Sequence, residues 1–282
     1  MTLPNAQLSR ACADWQLSDR RLVAETAVGW VYRVIRADGS PAALKIARPG
    51  VDTDEENAAS VLRTWDGTGA VRLLEAAGDA VLLEWLDGPL LGDLARDGQD
   101  DAAAEVLAGV AVSLHRGGIA PPDGLMPLER YFRTLLDPAP RLRLSGKLAA
   151  RMEAGRALAC ACLAAQGAPK LLHGDLHHDN VMNGPRGWVV IDPKGLLGDP
   201  AYELANALRN PVGLEPEILK LERIRHHTDI YAQALDIPKQ NLLNWAAAHC
   251  ALSLSWTLSR GGSAPEDEAL LPILLSIAEI PT

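Results

Sequence analysis

The spacing of apolar residues changes once along this chain, at Asp87-Gly88-Pro89, and that change restricts it to folds with a small sheet ahead of a helical body. Upstream, residues 21–47 read RLVAETAVGWVYRVIRADGSPAALKIA, with β-branched runs broken at Ala37-Asp38-Gly39-Ser40, where turn chemistry concentrates. Two or three antiparallel strands are predicted there. Residues 52–65 predict a helix, with acidic residues at the positive end of its dipole and Ala58, Val61, Leu62 and Trp65 at helical spacing. Strands return over 70–76 and 80–86, around Gly78-Asp79. Downstream of the break, Leu, Val and Ala recur every three or four residues over 102–114 and 144–163. Further helices are predicted over 215–235, 241–258 and 266–278. The expected fold class is α+β: a small N-terminal antiparallel sheet with one helix, residues 1–86, and a larger, mainly helical part, residues 87–282.

Composition removes several function classes. Lys and Arg total 27 against 36 Asp and Glu, a net charge of −9, which opposes phosphate-driven nucleic-acid binding. Four scattered cysteines, Cys12, Cys160, Cys162 and Cys250, form no disulfide framework, and buried thiols in a reducing cytoplasm are expected. The first residues lack the apolar core of a secretory leader. Residues 241–259 carry no Lys, Arg, Asp or Glu, yet Asn241, Asn244, His249, Ser253, Ser255, Thr257 and Ser259 are too polar for a lipid-facing span. A buried helix is expected instead.

The chemistry concentrates in LLHGDLHHDNVMNGPRGWVVIDPKG. Asp175 is followed five residues later by Asn180, and Asp192 ends the apolar run GWVVI. Phosphoryl transfer needs a carboxylate to orient the attacking hydroxyl, and a carboxylate plus an amide oxygen to hold Mg²⁺ on nucleotide phosphates. A polar loop alone could place His, Asp and Asn together for capping. What separates the two readings is a second group upstream: Lys45 on a strand, followed by Glu55 or Glu56 in the next helix, the lysine–carboxylate arrangement that steadies nucleotide phosphates. His173 and His177 share the spacing of a zinc-protease helix, but Gly174 replaces the glutamate that chemistry requires. His173 is expected to prop the loop, and His178, His226 and His227 to face solvent.

On GAVRLLEA, VLLEWLDG, LLHGDLHHDNVM and RGWVVIDPKGLLGDPAYELAN, together with the surroundings of Trp256, the chain resembles the aminoglycoside phosphotransferases. Within that family it is most similar to the streptomycin 6-kinase and hydroxyurea phosphotransferase type. The resemblance implies a bilobal protein-kinase-like fold, ATP and Mg²⁺ as cofactors, and a small-molecule hydroxyl as acceptor. It implies Asp175 as catalytic base, Asn180 and Asp192 as metal ligands, Lys45 on the phosphates, and Glu55 positioning Lys45, with Glu56 the alternative. Glu84, Trp85 and Leu86 would form the adenine hinge. The phosphate-covering turn, TAVGWVYRV, holds only Gly29, so it offers fewer places where the backbone can close over phosphates. No A-P-E follows Asp192-Pro193-Lys194, which disfavours a protein substrate. A streptomycin-like acceptor is cationic, and Asp199, Glu203, Glu266, Asp267 and Glu268 are the candidate carboxylates for it. Asp199 is also placed to brace the loops through backbone N–H contacts or to cap the following helix, and capping is the favoured of these two. The alternatives are a kinase for hydroxyurea or another small metabolite, and a non-catalytic ATP-binding pseudokinase.

Overall fold

The structure, a computed structural model, describes residues 5–50, 55–116, 118–137 and 144–279. Helix α1 (Asn5–Asp14) precedes strands β1 (Ser18–Glu25), β2 (Gly29–Ile35) and β3 (Pro41–Ala47); α2 (Glu55–Trp65) then leads to β4 (Leu73–Ala77) and β5 (Ala80–Glu84). These strands form one antiparallel sheet in the order β1-β2-β3-β5-β4. Next come α3 (Leu91–Arg96), α4 (Asp100–His115), β6 (Met126–Pro127), α5 (Leu128–Tyr131), α6 (Arg133–Leu136) and α7 (Gly146–Ala165). The chain continues through β7 (Lys170–Leu172), the hairpin β8 (Val181–Gly184) and β9 (Gly187–Val190), and β10 (Leu196–Gly198). It ends in α8 (Glu215–Ile218), α9 (Leu221–Leu235), α10 (Lys239–Ser259) and α11 (Pro265–Leu275). The start of the expected helix over 52–65 lies outside the described residues, and the helix expected over 215–235 is divided into α8 and α9.

Alternation along β3 sorts its side chains between two cores. Ala42, Leu44 and Ile46 are buried on one face with Trp30, Tyr32 and Val34 of β2 and Leu8 and Ala11 of α1. Helix α1 has no counterpart in the sequence-based expectation; among its described side chains only Leu8 and Ala11 are buried. Val81 and Leu83 of β5 face the other way, joining Val61, Leu62 and Trp65 of α2 in the main core. The alternation therefore turns Lys45 toward the helical part.

Helix α10 runs through that part, packed by α7, α9 and α11. Its residues from Leu242 to Ser255 are nearly all buried, which accounts for an apolar stretch without charges; no helix among the described residues is long and apolar enough to cross a membrane. Cys162 and Cys250 are buried as expected, whereas Cys160 is exposed and Cys12 half-buried. His178 and His227 are fully buried, contrary to the expectation of solvated rings; only His226 is exposed.

The sheet and the helices are stitched beside the β8–β9 hairpin. Val71 N–H donates to the Val190 carbonyl and Val190 N–H to that of Gly69, both at 2.9 Å. Arg186, in the hairpin turn, donates to the carbonyls of Gly67 and Ala70 and to Glu84 Oε1.

Candidate active site

The site is built around the loop between β7 and β8. Gly174 has φ +81°, and a Cβ there would lie 2.5 Å from Leu196 Cγ, so the turn admits only glycine. His173 is fully buried and stacks on Trp65, centroids 6.3 Å apart. Its Nε2 lies 2.8 Å from the Ile191 carbonyl, which can only accept, so Nε2 carries the proton and Nδ1 accepts from Asp175 N–H at 3.2 Å. Burial holds this imidazole below its usual range and keeps it neutral. His173 thus makes a two-sided hydrogen bond, tying the carbonyl of Ile191 to the backbone of Asp175.

Beneath it, Glu203 accepts from His173 N–H at 3.1 Å and Gly174 N–H at 3.3 Å, and His115 Nε2 stands 3.1 Å from the same carboxylate. Glu203 is 1% exposed. It braces the loop and cannot reach a substrate, which corrects its assignment as a binding carboxylate.

Asp175 receives Lys194 Nζ on Oδ2 at 2.7 Å and Asn206 Nδ2 on Oδ1 at 2.8 Å. Burial pushes its carboxyl up, but the Lys194 charge and hydrogen bond, aided by neighbouring histidines, outweigh burial and hold it at about 2. Asn180 donates from Nδ2 to the Asp175 carbonyl at 2.8 Å, which turns its Oδ1 to other use. Ile191 N–H donates to the Asn180 carbonyl at 2.9 Å, bringing Asp192 alongside Asn180. Asp192 takes φ +55°, and its Oδ1 accepts from Lys45 Nζ at 2.9 Å. Asn180 and Asp192 present hard oxygen donors, and the ammonium already on Asp192 shows that a cation fits there.

The structure thus brings Lys45, Asp175, Asn180 and Asp192 into one cleft. Glu55 and Glu56 open α2, but their side chains lie outside the described residues. At the expected hinge, the Glu84 side chain is engaged by Arg72 N–H and Arg186, and its own N–H donates to the Arg72 carbonyl at 3.0 Å. Gly29 serves a purpose other than nucleotide contact: a Cβ there would lie 2.4 Å from the Ile46 carbonyl oxygen, and its N–H is taken by Thr26 Oγ1 at 3.1 Å.

The remaining candidate carboxylates divide. Asp199 caps Ala201 N–H at 2.9 Å and accepts from Trp245 Nε1 at 3.1 Å, so its role is bracing. Asp267 is 3% exposed and bound in a fork by Arg209 Nε and Nη2, both at 2.9 Å, so it too is spent inside the protein. Glu266 is exposed and Glu268 half-buried on the first turn of α11. Arg209 also donates to Asn206 Oδ1 at 3.2 Å, which links Asp267 through Arg209 and Asn206 to Asp175. Lys194, Asn206 and Arg209 were not singled out from the sequence, although Lys194 stands two residues after Asp192 and Asn206 closes AYELAN.

The model of the aminoglycoside/hydroxyurea antibiotic resistance kinases matches residues 14–261. A streptomycin 3''-kinase of Klebsiella pneumoniae is 36% identical over 254 residues, covering 88% of this chain and 91% of that protein. A streptomycin 6-kinase of Streptomyces griseus is 31% identical over 290 residues, covering 97% and 88%. Among solved structures, a choline/ethanolamine kinase family protein of Mesorhizobium loti superposes with a TM-score of 0.70 at 12% identity, covering 96% of this chain and 98% of that one, a likeness of fold. Matched over residues 14–261 and 36% identical to a relative of which it covers 91%, the chain belongs to the aminoglycoside/hydroxyurea antibiotic resistance kinase family, whose members are small-molecule phosphotransferases.

Proposed function

We propose that the protein transfers the γ-phosphoryl group of ATP to a hydroxyl of streptomycin or a related cationic aminocyclitol antibiotic, inactivating it in the cytoplasm. The observation that carries this reading is the convergence of Asp175, Asn180, Asp192 and Lys45 in one cleft of a chain 36% identical to a streptomycin kinase over most of both lengths. In this reading residues 1–86 form the nucleotide lobe and 87–282 the catalytic and acceptor lobe. Trp85 and Leu86 supply backbone partners for the adenine edge. Asn180 Oδ1 and Asp192 would hold Mg²⁺, whose chemistry when bound is to neutralise phosphate charge. Lys45 moves its ammonium from Asp192 to the phosphates. Asp175 keeps lone pairs beyond those used by Asn206 and Lys194, and with one of them it orients the acceptor hydroxyl and takes its proton. The gain in rate comes from positioning and charge, with no covalent enzyme intermediate. Glu266 and Glu268 are the carboxylates left to meet a cationic acceptor.

The test is incubation of the purified protein with Mg-ATP and streptomycin, with mass spectrometry for a drug heavier by one phosphoryl group and Asp175→Asn as control. Product from the wild type alone is expected. Mg-ATP binding without product, across streptomycin and hydroxyurea, would overturn the acceptor; failure of Mg-ATP to raise the melting temperature would overturn the kinase reading itself.

A further inference from the structure

We propose that Lys194 is a catalytic residue that moves from Asp175 to the γ-phosphoryl group when nucleotide binds, supplying transition-state charge that the phosphate-covering turn does not. The inference rests on the proposed kinase reading and on two independent features of the site.

The first is the turn between β1 and β2. In a glycine-rich covering loop, free backbone N–H groups face the phosphates. Here Val28 and Gly29 N–H both donate to Thr26 Oγ1, at 3.3 and 3.1 Å, and Thr26 N–H donates to the Gly29 carbonyl at 2.8 Å. Arg48 Nε further ties down the Thr26 carbonyl at 3.0 Å. The turn is closed on itself, and three of its amides are spent inside it.

The second is the placing of cations. Within the β7–β8 loop no side chain presents a cation: His173 is locked between Ile191 and Asp175, His177 Nδ1 accepts from Asp179 N–H at 3.2 Å, which leaves that ring neutral, and His178 is fully buried. Arg96 and Arg209 are forked onto Asp179 and Asp267. Lys194 differs from all of these. Its backbone is fixed, with N–H donating to the His173 carbonyl at 2.9 Å, while its side chain is 31% exposed and ends on the base itself. A flexible four-carbon stem on a fixed backbone lets the ammonium change partners without moving the loop.

The step balances without a further reagent. The acceptor oxygen forms its bond to the γ-phosphorus as the bond from that phosphorus to the bridging oxygen breaks, the electron pair leaves on ADP, and the hydroxyl proton passes to Asp175. Lys194 changes only its hydrogen-bond partners, releasing a carboxylate lone pair to the acceptor hydroxyl as it reaches the equatorial phosphoryl oxygens.

The discriminating measurement compares nucleotides in the absence of acceptor. By titration calorimetry with Mg²⁺, Lys194→Met is expected to bind AMP-PNP at least ~10-fold more weakly than the wild type, while its affinity for ADP stays within about threefold. With the acceptor identified, its kcat should fall by about 10²-fold or more with KM for the acceptor little changed, and Lys194→Arg should restore part of that loss. If the Met variant does not fold, Lys194→Gln makes the same comparison. Equal loss for ADP and AMP-PNP, or no loss for either, would overturn the role of Lys194. A wild type that binds neither nucleotide would instead overturn the kinase reading beneath it.

Discussion

Replacing Glu203 separates a bracing carboxylate from a substrate carboxylate. Its side chain is buried and takes two backbone N–H groups, from His173 on Oε2 and Gly174 on Oε1, with His115 also against Oε2. Hydrogen bonds to a charged group contribute about 1.5–3 kcal/mol each, and an orphaned buried N–H keeps its full desolvation penalty. Glu203→Leu should therefore destabilise the fold by about 3–6 kcal/mol. At about 2.1 cal/mol/K per residue, the unfolding entropy of 282 residues is about 0.6 kcal/mol/K, so the melting temperature should drop by about 5–10 °C. Glu203→Gln keeps one acceptor oxygen but turns an amide toward a donor, and its loss should fall between wild type and Leu. Calorimetry gives the melting temperatures, and hydrogen exchange should show the His173 and Gly174 amides losing protection ahead of the rest of the core. A drop under about 1 °C with unchanged exchange at those amides would refute the bracing argument. A raised KM for the antibiotic at unchanged stability would return Glu203 to the substrate pocket.

Asp175→Asn should lower turnover by about 10²–10⁴-fold, as loss of a general base does, with nucleotide affinity nearly intact by calorimetry. Asp192→Ala should abolish the Mg²⁺ dependence of nucleotide binding; unchanged affinity in the metal titration would remove Asp192 from the metal site. His178 is fully buried, and burial, reinforced by Arg223, holds its imidazole down at about 3. Its folded value lies below the unfolded one, so the unfolded chain takes up a proton that the folded chain refuses as pH falls below about 6.5. Stability should decline there by up to about 1.4 kcal/mol per pH unit from this group, and His178→Phe should flatten melting temperature between pH 7 and 5. An unchanged pH slope in that variant would show that His178 is not the group responsible.

The parts of the site legible in sequence were those set by local geometry. Alternation along β3 decides which way Lys45 faces, because every second residue must enter the α1-side core. The five-residue spacing of Asp175 and Asn180 survives as the hydrogen bond from Asn180 Nδ2 to the Asp175 carbonyl. The missed or misread residues depend on partners far along the chain: Glu203 on amides 29 and 30 residues upstream, Asp267 on Arg209, and His227 on Asp101. An acidic residue at a helix start looks the same in sequence whether it meets water or a buried guanidinium. Helix α1 was invisible for a related reason: two buried positions in ten residues make too short a pattern to stand out.

The cleft keeps its charges in pairs, and the pairs define an order of exchange. Lys45 rests on Asp192, Lys194 on Asp175, and Arg209 on Asp267. Two of these pairs join a lysine, 20% and 31% exposed at its side chain, to a carboxylate that the proposed reaction must use, whereas the third holds a carboxylate only 4% exposed. A partly exposed lysine can trade its carboxylate for an incoming phosphate, whose charge replaces the contact it gives up, whereas a fork on a buried carboxylate has no such exchange open to it. In the proposed reaction Arg209 therefore stays, and through Asn206 it would keep Asp175 aimed while Lys45 and Lys194 exchange to the phosphates. The same asymmetry bears on the acceptor. A guanidinium group of the antibiotic would have to displace Arg209 to reach Asp267, exposing a buried charge, while Glu266 and Glu268 on the same turn carry no ion pair among the described residues. Charge reversal at Glu266 and Glu268 should accordingly raise KM for a cationic acceptor without touching nucleotide affinity, whereas Asp267→Asn should release Arg209, disturb Asn206 and lower kcat.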